Sequence, residues 1–265
     1  MAETWTDQGT LLERVQALGE WFHNIELCGV HTAPAHSLGD YPRVRWQRFC
    51  HAIPEDLSGC TVLDIGCSSG FYALEMKRRG AERVVGIDVD GRALEQARLA
   101  GEVTGLEVEW KQLSVYEVGR IGERFDFVLV LGLLCNLRHP LLALDLIHEH
   151  VARDLLVLQA MQRGCAEVAR MEVDYPLSEA LLFLRHDVPK CFFIEGRFGG
   201  DPGSWWIPNR ACVEAMLRSA GFQVVARPES EVFLCRRSAS CAGGELREIA
   251  AGLVQEPQVA GWMEG

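Results

Sequence analysis

No Cys-x-x-Cys pair occurs in this chain, although it carries ten cysteines. Without that spacing neither a ribbon-type zinc site nor a thioredoxin-like redox pair is expected. No apolar run reaches the roughly 20 residues that a membrane span needs. The opening MAETWTDQGT is polar and acidic, unlike a signal peptide. Excess positive charge is missing too. Twenty-six Lys and Arg face 37 Asp and Glu, a net charge of −11, which argues against a broad nucleic-acid footprint. There is no internal repeat, no Lys-bearing phosphate loop and no complete G-x-G-x-x-G fingerprint. The cysteines, among them Cys135, Cys212 and Cys235 within apolar patterns, read as reduced, core-filling thiols of a cytoplasmic protein. Cys28, His31 and His36 lie close together but match no tetrahedral ligand spacing, so no metal is expected.

What the sequence has is alternation. Short apolar runs at 61–65, 83–87, 106–112, 125–131 and 154–160 read as buried strands. Helical patterns at 70–79, 91–101 and 140–151 fill the gaps, the last with Leu141, Leu144, Ile147 and Val151 on one face. Such alternation implies an α/β fold: a doubly wound, mostly parallel sheet with right-handed crossovers. A helix at 209–220, between a capping Asn209 and Gly221, precedes FQVVARP and EVFLCRR. These two strands are close enough for an antiparallel hairpin, bringing the sheet to seven strands. A helix at 9–20 and an irregular, His- and Trp-rich stretch form an N-terminal lid segment over 1–55. The main domain is expected over 56–236, with a substrate insert at 162–208 and a tail at 237–265.

The strand at 61–65 runs straight into a turn, TVLDIGCSSGFYAL, with Gly66 and Gly70 four apart. Asp64 ends the strand, where a carboxylate repels pyrophosphate and suits an ammonium. Asp88 ends the next strand in VVGID, where a carboxylate accepts from two ribose hydroxyls at once. An amine, a ribose and no phosphate describe S-adenosylmethionine. VLDIGCSSGFYALEMKRRGAERVVGID resembles the first two motifs of the class I S-adenosylmethionine-dependent methyltransferases, whose sheet is Rossmann-like. The resemblance implies that Gly66, Cys67 and Gly70 line the methionine part, that Asp88 binds the ribose, and that Ser114 and Val115 flank the adenine. Many members carry Asp where this chain has Ser114. Gly132, in the stretch at the carboxyl end of the fourth strand, is expected to border the cofactor as well.

Four further pieces, WFHNIEL, RW at 45–46, GLLCNLRHPLLAL and WWIPN, resemble the branch containing the bacterial tRNA wobble-uridine oxyacetate methyltransferases and their uncharacterised relatives. Three positions depart from that branch. Cys135 and Asn136 stand where the tRNA enzymes have Tyr-His, and His23 aligns with the basic residue that meets their donor's extra carboxylate. A largely neutral His23 points to plain S-adenosylmethionine as donor.

Methyl transfer needs an aligned nucleophile and, for a hydroxyl, a base within hydrogen-bond reach. His139, at the start of the fourth-strand helix, is the first candidate base, and His23 the second. Glu26, Trp46, Asn136, Arg138, Arg197 and Trp206 are candidate substrate contacts. Arg185, His186, Lys190, Glu195 and Arg197 form a mixed polar set suited to a polar acceptor, and one of Trp205 and Trp206 is expected in the core. His148 and His150 are expected on the surface. The expected function is methyl transfer to a hydroxyl of a polar small molecule. The alternatives are a tRNA wobble-uridine methyl or carboxymethyl transferase and a cofactor-binding protein without catalysis. No membrane partner is expected, and a homo-oligomer is left open.

Overall fold

A computed structural model describes residues 8–172 and 174–238. Helix α1 (Gln8–Ala17) stops short of the expected residue 20, because Gly19 takes φ +77° and turns the chain away. A two-residue ladder, β1 (Glu26–Leu27) with β2 (Val30–His31), and helix α2 (Arg43–Phe49) follow. The alternating region then gives β3 (Thr61–Ile65), α3 (Phe71–Arg78), β4 (Arg83–Asp88), α4 (Gly91–Thr104), β5 (Glu109–Gln112) and β6 (Phe125–Leu131). It continues with α5 (Pro140–Leu146), β7 (Ala152–Gln159), β8 (Cys191–Phe193), β9 (Trp206–Pro208) and α6 (Arg210–Ser219), and closes with β10 (Phe222–Glu229) and β11 (Val232–Arg237).

The main sheet has the order β10-β11-β7-β6-β3-β4-β5. From β7 to β5 neighbours are parallel, whereas β11 is antiparallel to both β7 and β10. This is the seven-stranded doubly wound sheet with a terminal hairpin that the alternation implied. Burial on both faces explains the continuous apolar runs. Leu63, Ile65, Val128 and Val130 pack with α5 and α6 residues such as Leu144 and Val213. Val62, Val84 and Leu129 pack on the other face with Leu11, Trp46, Leu74 and Leu99.

Several expectations need correcting. β5 begins at Glu109 rather than 106, because Gly105 at φ +67° bends Leu106 back to donate to the Gly101 carbonyl. The helix at 140–151 is α-helical only to Leu146 and ends in a π turn, Ile147–Val151. That change of pitch rotates His148 inward. It is 1% exposed and packs edge-on to Phe222, not on the surface as expected. Leu141 leaves the buried face and is 44% exposed. The insert holds a small hairpin, β8 with β9, that no periodicity announced.

Candidate functional site

β3 places its side chains on alternate faces, so Asp64, two residues after Val62, points at α3. Gly70 is the N-cap of α3 and supplies no side chain. The helix's orphan N–H groups are met from outside instead. Asp64 Oδ2 accepts from Ala73 N–H at 3.1 Å, and His23 Nδ1 accepts from Phe71 N–H at 3.4 Å. Both capping groups are buried, and burial moves them in opposite directions. It raises the Asp64 carboxyl to about 7, against the Ala73 hydrogen bond and with help from the nearby Asp88 charge. It lowers the His23 imidazole to about 3. His23 is therefore neutral at physiological pH, its Nδ1 an acceptor and its proton on Nε2.

The turn itself is shaped by close approach. Gly66 has φ +72°, and its N–H, like that of Cys67, donates to the Ile87 carbonyl at 2.8 and 3.0 Å. Gly70 has φ +85°, and a Cβ there would lie 2.5 Å from Cη2 of Trp110. A Cβ on Gly86 would meet the same indole at 2.5 Å. Trp110, from β5, is thus a wedge beneath the turn. Cys67 is 1% exposed, with its Sγ turned toward Gly86, so only its backbone is available to a ligand.

Asp88, at the end of β4, is held from two sides. Oδ2 accepts from Ser68 N–H at 2.8 Å and Oδ1 from Asp90 N–H at 2.9 Å. Each oxygen keeps a lone pair for a further donor, and the side chain is half-buried. Ser114 caps the short 3-10 helix Val115–Ile121. Its hydroxyl accepts from Tyr116 N–H at 3.2 Å, and its own N–H is taken by Glu117. Val115 is buried. Gly132 has φ +77°, and the space where its Cβ would stand is bordered by Gln159 Oε1 and Tyr41 Oη.

Beside Gly132 lies a polar cluster of which only Arg45, in the RW at 45–46, falls within a quoted motif. Arg45 Nη1 and Gln159 Nε2 donate to Glu231 Oε2 at 3.0 and 3.2 Å. Tyr41 and Tyr72 neighbour one another and Arg45, and burial raises both phenols, so both stay neutral. The Tyr72 hydroxyl is fully covered.

The remaining candidates fall elsewhere. Trp46 is 5% exposed and sits in the core between Phe49, Tyr72 and the Arg79 guanidinium. Glu26 lies on β1 facing Arg43 at 4.0 Å. Asn136, Arg138 and Trp206 join the segment after β6 to the insert. Asn136 Nδ2 donates to Asp201 at 3.1 Å, Trp206 Nε1 donates to the Arg138 carbonyl at 3.2 Å, and the Arg138 guanidinium lies 4.3 Å over Trp205. Trp205 and Trp206 are both half-buried, so neither is the expected core anchor. Arg197 is exposed in the bend between β8 and β9. His139 is exposed and borders an apolar cavity of about 400 Å³ with Leu141, Leu142, Cys191 and Met216. A second cavity, of about 570 Å³, opens among Lys77, Arg83, Gly105 and Glu109. Neither cavity is lined by a residue of the glycine turn.

Among the described residues no helix is long and apolar enough to cross a membrane. Residues 62–154 match the family model described as a methyltransferase domain. The chain is 28% identical over 179 residues to a tRNA U34 carboxymethyltransferase of Pseudomonas aeruginosa, covering 67% of this chain and 49% of that protein. It is 36% identical over 170 residues to a ubiquinone biosynthesis O-methyltransferase of Ruegeria pomeroyi, 64% of this chain and 62% of the relative. The chain thus spans about half the length of the tRNA-modifying relatives it matches. In fold it is similar to the N-terminal domain of EvdMO1 solved with SAH bound, with TM-score 0.58 and 21% identity over 89% of this chain and 98% of that one. The strand order and these likenesses agree: residues 62–154 carry a methyltransferase domain, set in a seven-stranded sheet of the fold these structures share.

Proposed function

We propose that this chain transfers the methyl group of S-adenosylmethionine to a hydroxyl of a polar small molecule. The observation that carries the reading is Asp88. Its carboxylate is fixed by two backbone N–H groups at the open end of the sheet, with one lone pair per oxygen left over. That is the acceptor set a ribose diol fits. Asp64 lies on the neighbouring strand β3, and an ammonium near it would hold it ionised at neutral pH. When bound, the cofactor supplies an electrophilic methyl on a sulfonium. The protein's part is alignment. Gly66 and Gly70 keep the turn bare, Asp88 orients the sugar, and Tyr41 and Gln159 border Gly132 as neutral polar groups for an acceptor. The neutral His23 offers no permanent charge to an extra carboxylate, which supports plain S-adenosylmethionine as donor. The O-methyltransferase relatives support the hydroxyl as acceptor.

Substitution Asp88→Asn tests the reading. Calorimetry with S-adenosylhomocysteine is expected to show binding weaker by about 1.5–3 kcal/mol for each charge-assisted bond lost. Unchanged affinity would remove the ribose assignment. A second reading, methyl or carboxymethyl transfer to a tRNA wobble uridine, is favoured by the 179-residue likeness to tRNA U34 carboxymethyltransferases. The net charge of −11 weighs against it.

A further inference from the structure

We propose that Cys165, Glu167 and His186 bind a zinc ion that clips together the base of the insert. One ligand atom from each lies within 4.8 Å of the other two. His186 Nε2 is 3.8 Å from a Glu167 carboxylate oxygen, and Glu167 N–H donates to Cys165 Sγ at 3.3 Å. The residue types fit one class of cation. A thiolate, an imidazole and a carboxylate are zinc ligands, whereas calcium and magnesium take oxygen alone. Thiolate and carboxylate together carry two negative charges, matching a divalent ion, and a fourth position stays open to water. Binding expels the Cys165 proton to solvent and involves no redox step.

The backbone that carries these ligands is already fixed. Both segments hang from the start of α6. Arg210 Nη1 donates to the Ala166 carbonyl at 3.1 Å, and Asn209 Nδ2 donates to the carbonyls of Val188 and His186 at 2.8 and 3.5 Å. Ala169 N–H donates to the Asp187 carbonyl at 2.9 Å, bridging the two directly. The neighbouring Arg185 is engaged by both oxygens of Asp187, at 3.0 and 2.7 Å, rather than by Glu167. Between the two segments the described chain makes only a 3-10 turn, Leu181–Leu184, and leaves Leu177, Leu181, Phe183 and Leu184 exposed. A loop with so little core of its own gains most from a bond across its base.

The test is a zinc titration of the full chain against a chromophoric chelator, with cobalt(II) as spectroscopic probe. Wild type is expected to bind one zinc per chain, and its cobalt form to show a thiolate-to-metal charge-transfer band. C165S and H186A are each expected to weaken zinc binding by at least the ~10-fold that losing even an outer-shell partner costs. C165S should also lose the charge-transfer band. C28S, which removes an exposed cysteine outside the cluster, should change neither. Retained S-adenosylhomocysteine binding by the variants shows that they fold. Zinc should slow proteolysis between residues 168 and 185 in wild type but not in H186A. No saturable zinc binding by wild type, or undiminished binding by folded C165S and H186A, overturns the proposal.

Discussion

Substituting Asp64 by Asn should stabilise the ligand-free protein, and by an amount set by pH. Burial raises the Asp64 carboxyl from 3.8 to about 7 in the folded chain. Between those values the folded state holds a proton that the unfolded state has lost. Its stability therefore falls as pH rises through the window and reaches its full penalty above about 7. Each pH unit is worth about 1.4 kcal/mol, so the full penalty comes to about 4 kcal/mol. Asn keeps the shape and an oxygen for Ala73 N–H but has no proton to lose. The difference in unfolding free energy, Asp64→Asn variant minus wild type, is expected near zero at pH 4. It should climb through pH 5 and 6 and level off above pH 7. His23 gives the opposite slope. Its folded pKa is depressed from 6.5 to about 3, so its stabilising contribution is present above 6.5 and is lost as pH falls toward 3. In wild type the two slopes oppose one another between pH 3.8 and 6.5. In Asp64→Asn the histidine acts alone, and the variant should be acid-sensitive where wild type is not. Urea unfolding followed by circular dichroism at pH 4, 5, 6, 7 and 8 measures both curves. A difference that stays constant across that range would refute the argument.

Gly70→Ala should destabilise the chain by more than about 2 kcal/mol in thermal or urea unfolding, since it combines a left-handed φ with a collision against Trp110. A near-neutral result would mean that the indole moves freely. Electrophoretic mobility shift with bulk tRNA should show no binding at near-physiological salt, given the net charge of −11. A tight, salt-sensitive shift would move the acceptor to tRNA. Mass spectrometry of any ligand released from purified protein should find S-adenosylmethionine or its demethylated product, and recovery of a carboxylated form would contradict the neutral His23. Glu231→Gln should lower the affinity for acceptor with little change in S-adenosylhomocysteine binding, because its contacts, Arg45 and Gln159, lie beside Gly132 and not at Asp88.

The strand–helix alternation was legible because each buried strand had to be apolar throughout and each helix had to turn back over it. The two acids were legible for a related reason: a carboxylate at the end of a buried strand is costly unless something uses it. What stayed hidden depends on pairs far apart in the chain. Arg45 and Glu231 meet across 186 residues. Trp110 reaches Gly70 and Gly86 only because β5 lies beside β4, and the sequence gives no sign that the indole underlies the turn. Cys165, Glu167 and His186 have no motif spacing, so only the fold of the insert brings them together. The inward turn of His148 was hidden too, because it depends on a π turn over Ile147–Val151 that α-helical spacing does not describe.

The N-terminal segment touches the rest of the chain at points scattered over the sheet. Gln96 of α4 accepts from Ser69 Oγ in the glycine turn at 2.8 Å and donates to the carbonyls of Leu18 and Glu20 at 3.1 and 2.9 Å. His23 accepts from the first N–H of α3, and Arg45 pairs with Glu231 at the far hairpin. A roof pinned over β4, β3 and β11 at once has no single hinge line, because rotation about any one pin pulls against the other two.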